Sequence, residues 1–498
     1  MNQCGGNPQE SADSGKKDRE QKTAGKRNVR ASADYETRLG TEPILPLILR
    51  MSLPSVLAQV VNMLYNIVDR MFIGHIEGVG TTALAGVGVT GSLLILISAF
   101  ASFIGGGGAP LAAIALGRGE RDTAGRILGS GFDLLVVFAV VTAGLSWIFM
   151  DPVLRLIGAS DATMPYAKSY LSIYLTGTFF VMVSGGLNTF ISSQGRSVTA
   201  MCSVLLGAAL NIVLDALFVP VFGWGVRGAA AATVISQGAS AAWILSFLCS
   251  GRASLRIQKR YLKPDAKIIR RIFALGISPF VMGSTESLVG FVLNGSLVRY
   301  GDIYVSTLTV MQSAMQFVSV PLSGFANGYS PVVSYNYGHR SPERVREAAR
   351  IGMIVMAGCN FIGMMIMILF PAQTAGIFTD DPDLIDMVQK TMPLFLAGMT
   401  IFGLQRACQA VFVALEQAHI SLFIALLRKV ILLIPLALIL PVWFGVTGVY
   451  AAEAVADATA ATICTLLFAR KFPRILQSIA LQDGPEPKKE SPKSAQSP

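Results

Sequence analysis

Charge is scarce in this chain. Of 498 residues only 14% are Asp, Glu, Lys or Arg, while 52% are hydrophobic; an ordinary soluble domain carries about 25% charged residues. That balance excludes a soluble globular protein. Histidine is nearly absent: His75, His339 and His419 fall at span ends or loops, and no zinc spacing or catalytic triad can be assembled from them. The six cysteines include no CxxC pair, and Cys202, Cys249, Cys359, Cys408 and Cys464 lie within or at the ends of apolar segments, as inert packing residues do. A nucleotide site is missing too. SFIGGGGAP, residues 102–110, has the glycines of a phosphate loop but no following Lys-Ser/Thr, and it lies inside an apolar run; it reads as close helix packing and a bend. No secretory leader is visible in residues 1–41, which are polar and rich in Lys and Arg, so the first apolar span is expected to act as its own insertion signal.

What the chain does have is long apolar runs. A bilayer core about 30 Å thick needs roughly 20 apolar residues per helical crossing. Backbone groups in lipid must bond within their own segment, which leaves helices or a closed barrel, and runs this long and continuous read as helices. About twelve spans are expected, near 44–74, 81–116, 127–149, 166–192, 198–220, 226–249, 268–298, 303–337, 349–370, 386–415, 418–441 and 446–469. The fold class is therefore an all-α integral membrane protein. The loops after even-numbered spans carry GRGERDTAGR, GRASLRIQKRYLKPDAKIIRR and GHRSPERVREAAR, and the last helix ends in ARKFPR; the alternate loops carry DPVLRLIGASD and TDDPDLID. Positive loops stay inside, so both termini are expected in the cytoplasm of a multi-pass inner-membrane protein. The net charge of +10 sits in the tail and these loops, so membrane orientation explains it and no nucleic-acid partner is expected.

The two halves repeat. LGRGERDTAGRI aligns with YGHRSPERVREA, and GWGVRGAAAATVIS with WFGVTGVYAAEAVA, at an offset of about 220 residues; Pro54 meets Pro279. The expected organisation is a polar tail (1–43), an N-lobe of six spans (44–250), a basic linker (251–267), a C-lobe of six spans (268–474) and a disordered tail (475–498). Parallel repeats of this kind build transporters around a central site. Asymmetry between the repeats is then informative: Asp69 faces Asn294 in the alignment, Asn211 faces Ile431, Asp215 faces Pro435, and Thr233 faces Glu453. The stretch NIVLD, 211–215, puts Asn211 and Asp215 one turn apart on a single helix face. At about 1.5 Å per residue, Asp69, Asp215 and Thr233 sit at similar depth near the outer ends of their spans. Carboxyls in hydrocarbon face a cavity or a partner, and two close together titrate as one coupled pair. Such a pair exchanges a proton, or binds Na⁺ with amide and hydroxyl help.

The stretches LPSVLAQVVNMLYNIVDRMFIG, NIVLDALFVPVFGWGVRGAAAATVISQ and ALLRKVILLIPLALILPVWFGVTGVYAAEAVAD closely resemble those of the multidrug and toxic compound extrusion (MATE) transporters, over about residues 44–470. The resemblance, to the bacterial and archaeal branch, implies twelve helices in two pseudo-symmetric six-helix bundles around a V-shaped cavity. It implies export of drugs or toxic metabolites in exchange for H⁺ or Na⁺ and no other cofactor. It also implies a first-lobe ion site at Asp69, Asn188, Asn211, Asp215 and Thr233, and a helix bend at Pro54. Asn188 falls nearer the cytoplasmic end than the others. Glu286 resembles one acidic residue of a second-lobe site, but GLQRACQAVFVALEQ lacks the accompanying aspartate. Glu286 is expected either to attract cationic drugs or to pair with a neighbouring helix. Met63, Met282, Met311, Met315, Phe280, Phe317 and Tyr329 form a group of candidate cavity residues, since flexible Met side chains suit varied ligands.

Arg428 and Asp457 lie at similar depth and are expected to form a structural ion pair, with Lys429 pointing elsewhere. TDDPDLID resembles Mg²⁺-carrying clusters of membrane prenyltransferases, but capping of a helix start explains it better. The sequence thus points to a monomeric, ion-coupled multidrug exporter of hydrophobic, often cationic compounds that works by alternating access among membrane lipids. A lipid-linked oligosaccharide flippase and a membrane prenyltransferase are the alternatives.

Overall fold

The computed structural model describes residues 38–76 and 78–481, so most of both expected tails lies outside the described residues. Their inner ends are ordered against the body. Leu39 is buried, and its carbonyl accepts hydrogen bonds from Asn336 Nδ2 (3.0 Å) and Arg344 (3.2 Å). At the other end the last helix continues past the expected boundary at 474 to Leu481, because Leu476 and Ile479 still find a buried apolar face.

Twelve helical segments follow one another among the described residues: α1 Ile44–Gly74, α2 Gly80–Gly117, α3 Arg121–Ile148, α4 Met164–Thr176 with Thr178–Ser193, α5 Ser197–Val221, α6 Gly225–Cys249, α7 Ala266–Tyr300, α8 Asp302–Gly338, α9 Pro342–Leu369, α10 Pro382–Leu396 with Gly398–Ala414, α11 Ala418–Phe444 and α12 Val446–Leu481. Nine are long and apolar enough to cross a membrane unbroken, and two are bent pairs. The remaining one, α8, has 37 residues and carries Ser, Thr, Gln, Asn and Tyr along its length.

The breaks have identifiable causes. The two parts of α4 meet at 59° beside Gly177, where a Cβ would lie 2.6 Å from Val234. The two parts of α10 meet at 46° at Gly398, which lets α12 approach until a Cβ would sit 1.8 Å from the Ala454 carbonyl. Wide π-turns at Leu217–Val221 in α5 and Leu427–Leu433 in α11 interrupt the regular ladder, as they do at functional sites in other helices. The acidic stretch 379–386 forms a helix start: Asp381 accepts from the Asp383 N–H (3.0 Å) with Pro382 behind it, and Lys390 holds Asp386.

Helices of the first half pack on one another, those of the second half do likewise, and α2 and α1 of the first half lie against α7 and α8 of the second. Where these four helices touch decides the shape. Towards the basic loops the contact is backbone on backbone. An added Cβ on Gly276 would lie 2.0 Å from the Phe103 carbonyl, and one on Gly107 would lie 2.2 Å from that of Ile272. On α8, a Cβ on Gly328 would lie 2.3 Å from Ser52, and one on Gly338 would lie 2.1 Å from the Ile114 carbonyl. Towards the acidic loops, Gly88 and Gly91 of α2 and Gly290 and Gly295 of α7 meet nothing within 4 Å. The halves are therefore sealed at the basic face and parted at the other. The GGGG stretch of α2 supplies this closeness: Gly105 abuts Gly186 and Gly106 abuts Pro279.

Filling a well-packed interface costs about 1–3 kcal/mol. Gly276→Ala and Gly107→Ala are expected to lower the melting temperature of the purified protein in detergent, whereas Gly88→Ala shifts its stability by less than about 0.5 kcal/mol.

Candidate ion and substrate chamber

A cavity of about 890 Å³ begins in the first half, between α1, α2, α4, α5 and α6, and reaches across to α7, α8 and α10. Its lining mixes apolar surface with many serines, and the charged groups on its wall are Asp69, Arg70 and Arg406. Asp69 comes from α1, Thr233 and Gln237 from α6, Tyr170, Tyr174 and Asn188 from α4. Behind this wall stand Asn211 and Asp215 of α5, both buried.

The two carboxyls face one another across the α1–α5 contact. Asp69 is 9% exposed and Asp215 fully enclosed. Asp69 Oδ1, both carboxyl oxygens of Asp215 and both amide atoms of Asn211 have no protein hydrogen-bond partner. Thr233 donates its hydroxyl hydrogen to the Ala229 carbonyl (3.0 Å), so its oxygen lone pairs remain free to serve a neighbour; Tyr170 stands against it. Two buried carboxylates without a facing cation are costly. One proton shared between them, or one small hard cation bound by carboxyl, amide and hydroxyl oxygens, removes the excess. The residues present fit either ion. No cluster of three or more His, Cys, Asp or Glu suited to a transition metal occurs among the described residues.

Asn188 is placed elsewhere. Its Nδ2 donates to the Ala200 carbonyl and to Ser203 Oγ, both at 3.3 Å. Ser203 is twelve residues before Asp215 on the same helix, about 18 Å along its axis. The geometry thus brings together Asp69, Asn211, Asp215 and Thr233, with Asn188 on the same cavity wall but nearer the basic face. Tyr65, Tyr170, Tyr174 and Gln237 escaped the sequence reading. Tyr65 and Gln237 lie one turn from Asp69 and Thr233, so the helical period could have found them. Gln237 accepts from Ser184 (2.5 Å) and stands against Tyr65.

Of the candidate substrate residues, only Met282 lines this cavity. Glu286 is 67% exposed on its side chain and pairs with Lys429 of α11, so of its two expected roles the geometry displays the partner role. Met311 and Met315 belong to the second-half core, where the Thr391 hydroxyl points to the Met311 sulfur. Tyr329 is fully buried, donates to the Ala407 carbonyl (3.0 Å) and stacks on Phe325. Phe280 sits among Phe100 and Phe103, Phe317 packs with Phe378, and Met63 lies half-buried on α1 outside the lining.

The second half settles its charges internally. Arg428 donates to Asp457 Oδ1 (2.5 Å) and to Glu453 Oε1 (3.3 Å) and lies 4.0 Å over the Phe402 ring. Removing one member of a buried ion pair costs about 3–5 kcal/mol. Asp457→Ala is therefore expected to destabilise the protein by that amount in thermal unfolding. Asp69→Asn, which takes a charge from a like-charged pair, changes stability by less than about 1 kcal/mol.

Comparison with known proteins agrees with this geometry. The MatE family model matches residues 54–217 and 280–439, well over half of the chain. The chain is similar to the multidrug export protein MepA of Staphylococcus aureus, at 23% identity over 85% of this chain and 93% of that protein. MepA of Staphylococcus haemolyticus matches at 22% identity over 85% and 92%. Among solved structures, MATE in the bent conformation superposes with a TM-score of 0.81 and 24% identity, covering 91% of this chain and 99% of that one. An outward-facing multidrug resistance MATE family transporter gives 0.80 and 22%, covering 86% and 96%. The reach of the family model across both halves places this chain in the MATE family of efflux transporters.

Proposed function

We propose that this chain is a secondary active exporter, moving amphiphilic drugs or toxic metabolites out of the cell in exchange for H⁺ or Na⁺ by alternating access. The observation that carries this reading is the Asp69–Asp215 pair, with Asp69 on the wall of the cavity and Asp215 enclosed behind it. The names of the relatives, multidrug export proteins, support the substrate class. The basic loops support a cytoplasmic sealed face and cytoplasmic termini, in an inner-membrane protein on this reading. The lobes are taken as 44–250 and 268–474, acting as a monomer.

In this reading the described conformation opens outward. A cation entering from outside neutralises the carboxyl pair and changes how α1 packs on α5 and α6. Pro54 lacks an N–H, so the Arg50 carbonyl has no helical partner and α1 bends there at low cost. The residues around it, Ser52, Ser55 and Val56, are those against which Gly324 and Gly328 of α8 pack, and Ser52 Oγ donates to the Phe325 carbonyl (3.3 Å). A shape change in α1 thus acts directly on the seal between the halves. Release of the cation inward resets the pair.

One charge moving across 100 mV supplies about 2.3 kcal/mol, a roughly fifty-fold concentration ratio. In proteoliposomes under a pH gradient or, separately, a Na⁺ gradient, Asp69→Asn and Asp215→Asn are each expected to lose that ion-driven accumulation ratio. Full ion-driven efflux by either variant would show that the pair does not couple transport.

A further inference from the structure

Several cations of the second half meet carboxylates, whereas Arg344 at the basic face is held by Asn336 Oδ1 and the Leu39 and Glu42 carbonyls, and Arg406 likewise has only neutral acceptors. Arg428 has Asp457 and Glu453, Lys429 has Glu286, and Arg271 holds Glu416 through two hydrogen bonds of 2.8 and 2.9 Å. Arg406 of α10 is half-buried, faces the cavity and has no carboxylate partner among the described residues. Its guanidinium donates to neutral acceptors of α8, the Ser319 carbonyl (3.3 Å) and Ser323 Oγ (2.6 Å). It lies 5.8 Å from the centre of the Phe402 ring, whose closer cationic contact is Arg428. Asp457 and Glu453 direct their hydrogen-bonded oxygens to Arg428, and neither bonds to Arg406.

An arginine within a membrane span costs about 2.5–3.5 kcal/mol even on the lenient insertion scale. The two serine acceptors hold the guanidinium in place on α8 but leave its charge unbalanced. Its five donors suit a planar oxyanion far better than hydroxyls. Asp69 and Asp215, the acidic groups of the cavity region, belong to the other half, near the acidic-loop ends of α1 and α5. Arg406 lies eight residues from the basic-face end of α10, about 12 Å along the helix. The wall around it contributes Asn327 and Ser330, neutral groups that do not compete for the charge.

We infer that Arg406 is a substrate-recognition residue that docks a carboxylate of the exported compound. The preferred substrates are amphiphiles bearing a carboxylate, anionic or zwitterionic, rather than plain lipophilic cations. This rests on the exporter reading for the role of the cavity and sharpens its substrate class. The serine acceptors fix the guanidinium plane, and the incoming carboxylate supplies the missing counter-charge.

Rhodamine B and its methyl ester differ only in whether the carboxylate is free, and fluorescence anisotropy with the purified full-length protein in neutral detergent reads the affinity for each. A charge-assisted hydrogen bond contributes about 1.5–3 kcal/mol, so the wild type is expected to bind the free acid about tenfold more tightly than the ester. Arg406→Gln is expected to lower the affinity for the acid at least about fivefold more than that for the ester, with Arg406→Lys, a point charge, in between. Equal wild-type affinity for the two dyes, binding of neither, or a parallel loss of both in Arg406→Gln overturns the inference and leaves Arg406 as a staple between α8 and α10. Efflux assays separate this from the exporter reading. Gradient-driven export of the ester without preference for the acid sinks only the inference, whereas Arg406-dependent binding of the acid without gradient-driven export of either dye sinks only the exporter.

Discussion

An ionisable group inside a membrane must find a counter-charge, a hydrogen-bond donor or water, because hydrocarbon solvates none of its charge. The two halves of this chain meet that requirement in opposite ways. In the second half Arg428 clamps Asp457 and Glu453, and Lys429 holds Glu286, so each of these carboxylates bonds to a cation within the protein. In the first half Asp69 and Asp215 face each other with three carboxyl oxygens unpartnered, and Asn211 is left equally unserved beside them. A network that closes on itself is a brace. One that stays open beside a cavity is the feature on which the proposed ion exchange rests.

That contrast is drawn on a repeated scaffold. Thr233 and Gln237, on the cavity wall of the first half, are matched in the repeat by Glu453 and Asp457, the two carboxylates that hold Arg428. The same helix face therefore lines a chamber in one half and anchors an ion network in the other. The repeat sets neutral hydroxyl and amide against carboxylates, and Ala208 against Arg428. The halves meet along the seam where α1 and α2 pack on α7 and α8. Glycines there bring backbones so close that the contact has few intermediate arrangements, since packed interfaces deform poorly and tend to be either made or broken.

Much of this was legible in the sequence. Most of the twelve segments begin and end within a few residues of the expected spans, because a bilayer demands apolar length and each loop interrupts it with charge. By contrast, α3 and α9 begin six and seven residues early, and α12 runs on to Leu481. The bends at Gly177 and Gly398 were not visible, since a glycine inside an apolar run reads equally as packing or as a break, and only the approach of Val234 or Ala454 distinguishes them. NIVLD announced the carboxyl site through its spacing. The aromatic group was less legible: Tyr329 and Met311 lie on the helices that resemblance associates with a cavity but turn into the core, and a residue type alone does not say which way a helix is rotated.

The sequence by itself determined that the chain crosses a membrane about twelve times, that it is built as a repeat, and that its first half carries unmatched intramembrane acids. These follow from composition and period, which act locally along the chain. Tertiary structure alone decided which of the charged residues meet. Arg428, Glu453 and Asp457 close a network, Lys429 takes Glu286 out of the cavity, and Arg406 is left facing it. The physical reason is that a counter-charge is supplied by a neighbour in space, often more than a hundred residues away, and the rotation and crossing of helices that choose this neighbour are set by packing of the whole bundle.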